Sequence, residues 1–172
     1  FACEPNCVRG LVISARMALD AGDAVAAAHA FEQVVEHDID FVPEILGPVL
    51  ACYEKLDEPH RGREFLRQIA ERYEGISPVL ALARIIERDE GARVAAEFLA
   101  EQLRSRPSVR GLVHMIELSL KSAAEHERDT LVVLDELVRK LLEGRSVYRC
   151  SRCGFGARAH HWQCPSCKSW GS

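Results

Sequence analysis

The sequence predicts an all-α protein, a solenoid of helical hairpins that ends in a small metal-binding module. Three observations predict it: apolar residues recur at three- and four-residue spacing from residue 9 to residue 144, the pattern repeats, and two Cys-x-x-Cys pairs close the chain. The composition agrees, since aromatic residues make up only 6% of the 172 residues. We expect a repeat domain over residues 1–144 and a metal-binding module over residues 145–172.

Short turns between the apolar segments divide the first part into eight predicted helices, paired in four hairpins. The predicted turns are Ala21-Gly22-Asp23, Leu56-Asp57-Glu58-Pro59, Asp89-Glu90-Gly91 and Ser122-Ala123-Ala124-Glu125. Aligning the second helix of each hairpin places Phe31, Leu66, Leu99 and Leu134 in register, with separations of 35, 33 and 35 residues. Such a period is typical of tetratricopeptide repeats, so we predict a tetratricopeptide-like solenoid. The alternative is an ordinary helical bundle whose spacing is coincidental.

Small residues precede the large ones at the positions where neighbouring helices of such repeats interlock. Ala27 in the first hairpin and Ala95 in the third occupy this position, and Pro107 follows where the second helix of a repeat commonly stops. The second hairpin departs from the pattern, because Gly62 stands at the small position and Pro48 falls inside a predicted helix. We therefore expect that hairpin to be kinked or shortened.

The first helices of the hairpins are expected to line an extended concave surface that binds peptides or partner proteins. Mixed charge on this surface indicates no general preference for nucleic acid. The alternative is that these side chains are only solvated. The candidate groove residues are Arg9, Arg16, Glu44, Glu54, Arg84 and Met115.

The helical part contains no glycine-rich phosphate loop, no nucleophile elbow and no helical pair of histidines flanking a glutamate. The nearest approaches to acid–base groupings are His37-Asp38 and Glu125-His126-Glu127, and both fall at helix ends or turns, where polar residues are common. We expect no catalytic residue, no organic cofactor and no enzymatic activity.

The strongest chemical signal is Cys150, Cys153, Cys164 and Cys167, two Cys-x-x-Cys pairs with the spacing of a four-thiolate metal site. Two residues between cysteines let a tight turn aim both sulfurs at one ion, about 2.3 Å away for zinc. Four thiolates leave no open coordination position, which favours a structural site; zinc and iron both fit. The alternatives are two disulfides, four unrelated thiols, or replacement of one cysteine by His160 or His161.

Charge is divided unevenly between the two parts. Residues 145–172 hold five basic residues and no acidic one, so the total of −4 leaves −9 for residues 1–144. One hypothesis is that the basic module docks on the acidic helical part; the other is that both sets of charges are only solvated. Reduced thiols favour a reducing compartment, with Cys52 a core residue and Cys3 and Cys7 on a helix face. The sequence contains no run of about 18 uncharged apolar residues, so we predict no membrane span within it.

The end of the chain resembles the lipopolysaccharide assembly protein B family. The resemblance rests on Tyr148-Arg149-Cys150-Ser151-Arg152-Cys153-Gly154-Phe155 and Trp162-Gln163-Cys164-Pro165-Ser166-Cys167-Lys168-Ser169-Trp170, placed directly after tetratricopeptide-like hairpins. The family has a cytoplasm-facing repeat domain that is anchored in the membrane and ends in a rubredoxin-like module. By this resemblance the four cysteines are the metal ligands, and an amino-terminal anchor absent from this chain would hold it at the cytoplasmic face of the bacterial inner membrane.

The resemblance also implies a function without bond chemistry. The family is an adaptor that restrains lipopolysaccharide biosynthesis by promoting degradation of the deacetylase LpxC by the membrane protease FtsH. Other expected partners are lipopolysaccharide transport or synthesis proteins, and no nucleic acid is expected. The alternative functions are a zinc ribbon that binds nucleic acid and a rubredoxin-type electron carrier.

Two departures from rubredoxin separate those alternatives. The cysteine pairs are closer together than in a full rubredoxin, and Lys168 stands where glycine usually follows the last cysteine. Both departures favour a compact structural ribbon, with zinc slightly preferred over iron. Four aromatic residues are expected to anchor the ribbon on the repeats; they are Tyr148, Phe155, Trp162 and Trp170.

Overall fold

The computed structural model describes residues 7–144 and 146–171. Eight α-helices occupy the first part of the described chain, and a two-stranded ribbon follows them. The helices are α1 Val8–Asp20, α2 Ala24–His37, α3 Val42–Lys55, α4 Pro59–Arg72, α5 Ser77–Glu90, α6 Ala92–Ser105, α7 Val109–Ser122 and α8 Glu125–Leu142; a single 3-10 turn, Ile39–Phe41, precedes α3. The strands are β1 Tyr148–Arg149 and β2 Gly156–Ala157, which pair antiparallel.

The helix ends follow from local sequence. The Asp23 carboxylate accepts from the backbone N–H of Ala26 at the start of α2, and the Ser108 hydroxyl accepts from Gly111 at the start of α7. Gly91 alone separates α5 from α6. Its φ is 96°, a conformation that would be strained in a residue with a side chain. The predicted turns are therefore confirmed as breaks between helices.

Consecutive helices pack on one another along the chain, and α1 with α3 and α3 with α5 also touch. Contact between alternate helices is what stacking of hairpins produces, so the predicted fold class, helical hairpins followed by a small ribbon, is confirmed. None of the helices in residues 7–144 or 146–171 combines the length and apolar character that a membrane crossing requires.

The large residues predicted in register form the core of the first three hairpins. Phe31, Leu66 and Leu99 are completely buried, but Leu134 is 43% exposed. The prediction for Leu134 is wrong, because α8 turns Val138 rather than Leu134 toward α7. Cys52 is buried in the core, as predicted, whereas Cys3 lies outside the described residues and Cys7 directly precedes α1.

The second hairpin is not shortened by Pro48. Helix α3 has 14 residues, as many as α4 after it, and contains Pro48 in its interior. A proline clashes with the Cβ of a helical residue before it, but here that residue is Gly47, which has none. Gly62 in α4 allows close packing on α3, since a Cβ there would lie 3.3 Å from side-chain atoms of both Leu50 and Tyr53.

Substitution at Gly62 tests this interlocking. We expect Gly62→Val to destabilise the helical part by about 1–3 kcal/mol, because the added methyl groups overpack the contact with Leu50 and Tyr53. Gly62→Ala is the control: a helix gains about 1 kcal/mol from alanine over glycine, which offsets the tight contacts of one added Cβ. Thermal unfolding of the three proteins measures the difference, and equal midpoints for Gly62→Val and the unsubstituted chain would contradict it.

Candidate metal centre

The ribbon consists of two turns with the same hydrogen-bond pattern. In the first, the Gly154 N–H donates to the Cys150 carbonyl at 2.9 Å and the Cys150 N–H donates to the Phe155 carbonyl at 2.9 Å. In the second, the Lys168 N–H donates to the Cys164 carbonyl at 3.0 Å and the Cys164 N–H donates to the Ser169 carbonyl at 2.8 Å. The two Cys-x-x-Cys segments are therefore similar knuckles that face each other.

Both knuckles place a residue in the left-handed region directly after the second cysteine. Gly154 has a φ of 75° and Lys168 a φ of 60°. Glycine adopts this conformation freely, whereas in lysine it causes steric strain between the Cβ and the backbone. The Lys168 ammonium donates to the Pro165 carbonyl at 2.8 Å, which fixes the side chain over its own turn. The departure noted in the sequence thus changes a residue type and not the shape of the turn.

The four sulfur atoms lie within 4.8 Å of one another. Two of the pairs join the two knuckles: Cys150 Sγ to Cys167 Sγ at 3.8 Å and Cys153 Sγ to Cys164 Sγ at 3.7 Å. Sulfurs about 2.3 Å from one tetrahedral ion are about 3.8 Å apart, whereas a disulfide requires about 2.05 Å. The donor set fits one tetrahedral ion, and these separations do not fit disulfides.

Hydrogen bonds and crowding act on the thiols in opposite directions. The backbone N–H of Phe155 lowers the pKa of Cys153, but desolvation and the three neighbouring thiols raise it to about 11. The hydroxyl and N–H of Ser169 lower the pKa of Cys167 below its ordinary value. Cys167 loses its proton more easily because its neighbours donate hydrogen bonds to the thiolate that forms. A second thiolate in the cluster is unfavourable without a cation, because the two negative charges repel each other.

Aromatic contacts join the ribbon to the helical part. The ring of Trp162 stacks on Phe41 with centroids 5.1 Å apart, and His160 packs edge-on to Phe41 at 5.3 Å and to Trp162 at 4.9 Å. The Arg9 guanidinium lies 5.7 Å from the ring of Trp162 and 5.4 Å from that of Trp170, within the range of cation–π attraction. Because α1 begins at Val8 and α3 at Val42, the ribbon lies where these two helices start.

Tyr148 adds a polar contact to this interface. Its hydroxyl donates to the Glu44 carboxylate, and its ring packs on His160 at 5.7 Å. Desolvation, followed by the hydrogen bond to Glu44, raises the pKa of Tyr148 to about 12, so the hydroxyl keeps its proton at neutral pH. A cleft of about 720 Å³ remains between ribbon and helices, with Asp38 and Asp40 on its helical side.

Two of the four predicted anchors, Tyr148 and Trp162, pack on the helical part. Trp170 lies over the Arg9 guanidinium but stays 63% exposed, and Phe155 is 38% exposed. Among the described residues, ion pairs join helical residues to one another, so aromatic contacts and one hydrogen bond hold the ribbon. The hypothesis that opposite net charges dock the module gains no support from these contacts.

The predicted groove residues lie in different environments. Arg9 and Glu44 contact the ribbon, and Glu54 pairs with Arg88 at 3.8 Å. Arg16 and Arg84 are exposed on α1 and α5, while Met115 packs against the core between α5 and α6. The ribbon therefore covers part of the surface that was predicted to be open.

Sequence reasoning missed Phe41, the residue on which Trp162 stacks. One aromatic residue between two helices looks like an ordinary core residue, and the contact is 121 positions away in the chain, from 41 to 162. It also left open whether His160 or His161 replaces a cysteine. His160 packs among aromatic rings, and the cluster found in the described residues consists of the four cysteines.

The two left-handed residues provide a matched pair of substitutions. We expect Gly154→Ala to destabilise the ribbon by about 1–2 kcal/mol, because the left-handed backbone is strained by any Cβ while the space around it is open. Lys168→Gly should be tolerated, since it removes the same strain from the other knuckle. The rate at which a chelator removes metal from each variant measures the difference. Faster release from Lys168→Gly than from Gly154→Ala would contradict this account.

The hydrogen bond from Tyr148 to Glu44 predicts a dependence of stability on pH. The pKa in the folded chain, about 12, lies above the ordinary value of about 10, so the folded state holds this proton more tightly than the unfolded state. The contribution of this hydrogen bond to the free energy of unfolding is therefore complete below pH about 10 and is lost as the pH rises toward 12. The difference in free energy of unfolding between the chain and Tyr148→Phe should shrink over that range. A difference that grows with pH would contradict the assignment.

Comparisons with known proteins agree with this geometry. A family model described as a rubredoxin metal binding domain matches residues 148–172. Lipopolysaccharide assembly protein B of Escherichia coli K12 is 30% identical over 170 residues, covering 98% of this chain and 44% of that protein. The protein of the same name from Haemophilus influenzae is 31% identical over 173 residues, covering 100% of this chain and 44% of its own length.

The chain thus spans less than half the length of these relatives. The match is nevertheless continuous through the helices and the ribbon, so it does not rest on the cysteines alone. The predicted resemblance is confirmed: the chain is a relative of lipopolysaccharide assembly protein B, and its residues 148–172 match that family's rubredoxin-type metal-binding domain.

Proposed function

We propose that this chain is part of a non-enzymatic adaptor that regulates lipopolysaccharide biosynthesis by promoting degradation of LpxC by FtsH. The observation that carries the proposal is the ribbon docked on the starts of α1 and α3, through Phe41, Trp162 and Tyr148. Relatives named for lipopolysaccharide assembly support the pathway. A shaped surface with exposed charged residues supports action by binding.

We further propose that Cys150, Cys153, Cys164 and Cys167 hold one metal ion, with zinc slightly favoured over iron. The separations of 3.7 and 3.8 Å between sulfurs and the all-thiolate donor set support it. When bound, the ion links the two knuckles, which have few apolar contacts of their own, and so fixes the ribbon. The division into a repeat domain, residues 1–144, and a metal-binding module, residues 145–172, belongs to the same proposal.

Docking of the ribbon gives the ion an indirect role in partner binding. The surface that faces partners is made partly of helix starts and partly of ribbon, because Arg9 and Glu44 are engaged by Trp162 and Tyr148. The exposed Arg16 on α1 and Arg84 on α5 remain available for an acidic partner segment. If the knuckles separate, the aromatic contacts are lost and this composite surface changes shape.

The alternative functions are less well supported by the arrangement. A nucleic-acid ribbon would present its aromatic rings for stacking with bases, but Trp162 is stacked on Phe41 and covered by His160. An electron carrier of the rubredoxin type would need iron at the cluster, and the shorter separation of the cysteine pairs favours zinc. The adaptor proposal uses the docked ribbon, which neither alternative requires.

Loss of one ligand tests the proposal in the protein that contains this chain. We expect Cys164→Ser to lose the ion, loosen the ribbon and raise the cellular level of LpxC several-fold, because the composite surface no longer forms. The matched control is Cys7→Ser, which removes a thiol outside the cluster. Elemental analysis measures the metal, and the half-life of LpxC in cells measures the function.

Two results would count against the proposal in different ways. Unchanged metal content in Cys164→Ser would remove the metal assignment. Loss of metal with an unchanged LpxC half-life would keep the metal site and remove the adaptor function that we assign to the docked ribbon.

A further inference from the structure

The last helix carries an exposed apolar stripe. Leu134, Leu137 and Leu141 are 43%, 53% and 57% exposed, and Val133 beside them is 54% exposed. Val138, Leu131 and Leu142 lie about 100° around α8 from this stripe, and that side packs against α7. Helix α8 therefore has two apolar sides, and within the described residues only one of them is covered.

Such a stripe is unexpected at the end of a solenoid. The terminal element of a repeat array normally has a polar outer face, because it has no following neighbour. Burial of a leucine side chain stabilises by roughly 1.5–3 kcal/mol relative to exposure. Covering the three exposed leucines of this stripe would therefore contribute a large favourable free energy of association. The ribbon does not cover the stripe, since it packs at the starts of α1 and α3.

The spacing of the stripe points to its occupant. Thr130, Leu134, Leu137 and Leu141 are separated by four, three and four residues, the spacing of a coiled-coil seam. This order is the same read in either direction, with its midpoint between Leu134 and Leu137. An antiparallel copy related by a twofold axis through that midpoint brings Leu134 opposite the other Leu137, and Thr130 opposite the other Leu141.

Charges beside the stripe fit the same arrangement. At about 100° per residue, Asp129 and Lys140 lie on one flank of the stripe, near its two ends. In an antiparallel twofold pair this flank faces the same flank of the other copy, so Lys140 of each chain comes near Asp129 of the other. The remaining offset is two residues along the axis, about 3 Å, which a lysine side chain spans. In a parallel twofold pair this flank would instead face the opposite flank of the other copy, so Lys140 and Asp129 of the two chains would not meet.

We propose that a second copy of this chain covers the stripe, forming an antiparallel α8–α8 dimer. This inference is independent of the proposed adaptor function and of the metal site, because the ring contacts and the hydrogen bond described above hold the ribbon at the starts of α1 and α3, not at α8. It predicts a self-complementary interface centred between Leu134 and Leu137, bordered by two equivalent pairs of Asp129 and Lys140.

Sedimentation velocity of the 172-residue chain over a range of concentrations tests the proposal. We expect a monomer–dimer equilibrium, and we expect Leu134→Gln with Leu137→Gln to weaken dimerisation at least about tenfold, since each loses apolar burial at the centre of the interface. Met17→Gln is the matched control, because Met17 is 66% exposed on α1 and lies outside the stripe. Thermal unfolding checks that all variants fold, which their exposed positions favour.

A charge exchange tests the antiparallel arrangement separately. Asp129→Lys and Lys140→Glu should each weaken the dimer, because each places like charges together in both equivalent pairs. The double variant with both substitutions should restore dimerisation, because the pairs become opposite in charge again. Restoration by the double variant would support the twofold arrangement.

Three results would overturn the inference. The first is a chain that stays monomeric at every concentration measured, which would leave the stripe to a different protein. The second is a dimer that Leu134→Gln with Leu137→Gln does not weaken. The third is a dimer in which the two charge substitutions add their effects and the double variant is the weakest.

Discussion

The close approach of four sulfur atoms is the constraint on which the ribbon and its contact with the helices depend. Two short knuckles, each closed by the same two backbone hydrogen bonds, face each other across a cluster whose sulfurs lie within 4.8 Å. The ribbon buries few residues of its own: Cys150 and Cys164 are the hydrophobic ones that become buried in it. A segment of this size cannot be held by apolar burial alone, so its shape depends on what joins the knuckles.

The aromatic interface transmits that shape to the helices. Trp162, which contacts Phe41, lies two residues before Cys164, and Tyr148, which contacts Glu44, lies in the strand that leads into Cys150. Contacts at the start of α1 and α3 lie on the edge of the solenoid, where the first helices of successive hairpins lie side by side. If the cluster holds an ion and the docked ribbon forms part of a partner surface, as we propose, a short path of packed side chains couples the two.

Much of the fold could be predicted because its signals are local. Turn residues marked the helix ends, and the period of the apolar residues placed Phe31, Leu66 and Leu99 in the core. The prediction failed at Leu134, because burial there requires a following hairpin and periodicity alone does not show which side of a terminal helix has a neighbour. The shortening expected at Pro48 also did not occur, because the preceding Gly47 has no Cβ to clash with the proline ring.

The candidate site divides in the same way. Spacing alone identified the four cysteines, because each knuckle is built from neighbouring residues. The partner of Trp162 could not be found, since the contact with Phe41 depends on where the ribbon returns to the helices and no local pattern encodes that return. Net charge suggested docking, but short-range ring contacts provide it, because they need shape complementarity and not only opposite sign.

Hydrogen–deuterium exchange of the chain before and after treatment with a chelator tests the central claim most directly. The account predicts that removal of the ion increases exchange in the ribbon and also in residues 8–12 and 39–46, while α6 keeps its protection. An increase confined to residues 146–171, with the starts of α1 and α3 unchanged, would contradict it.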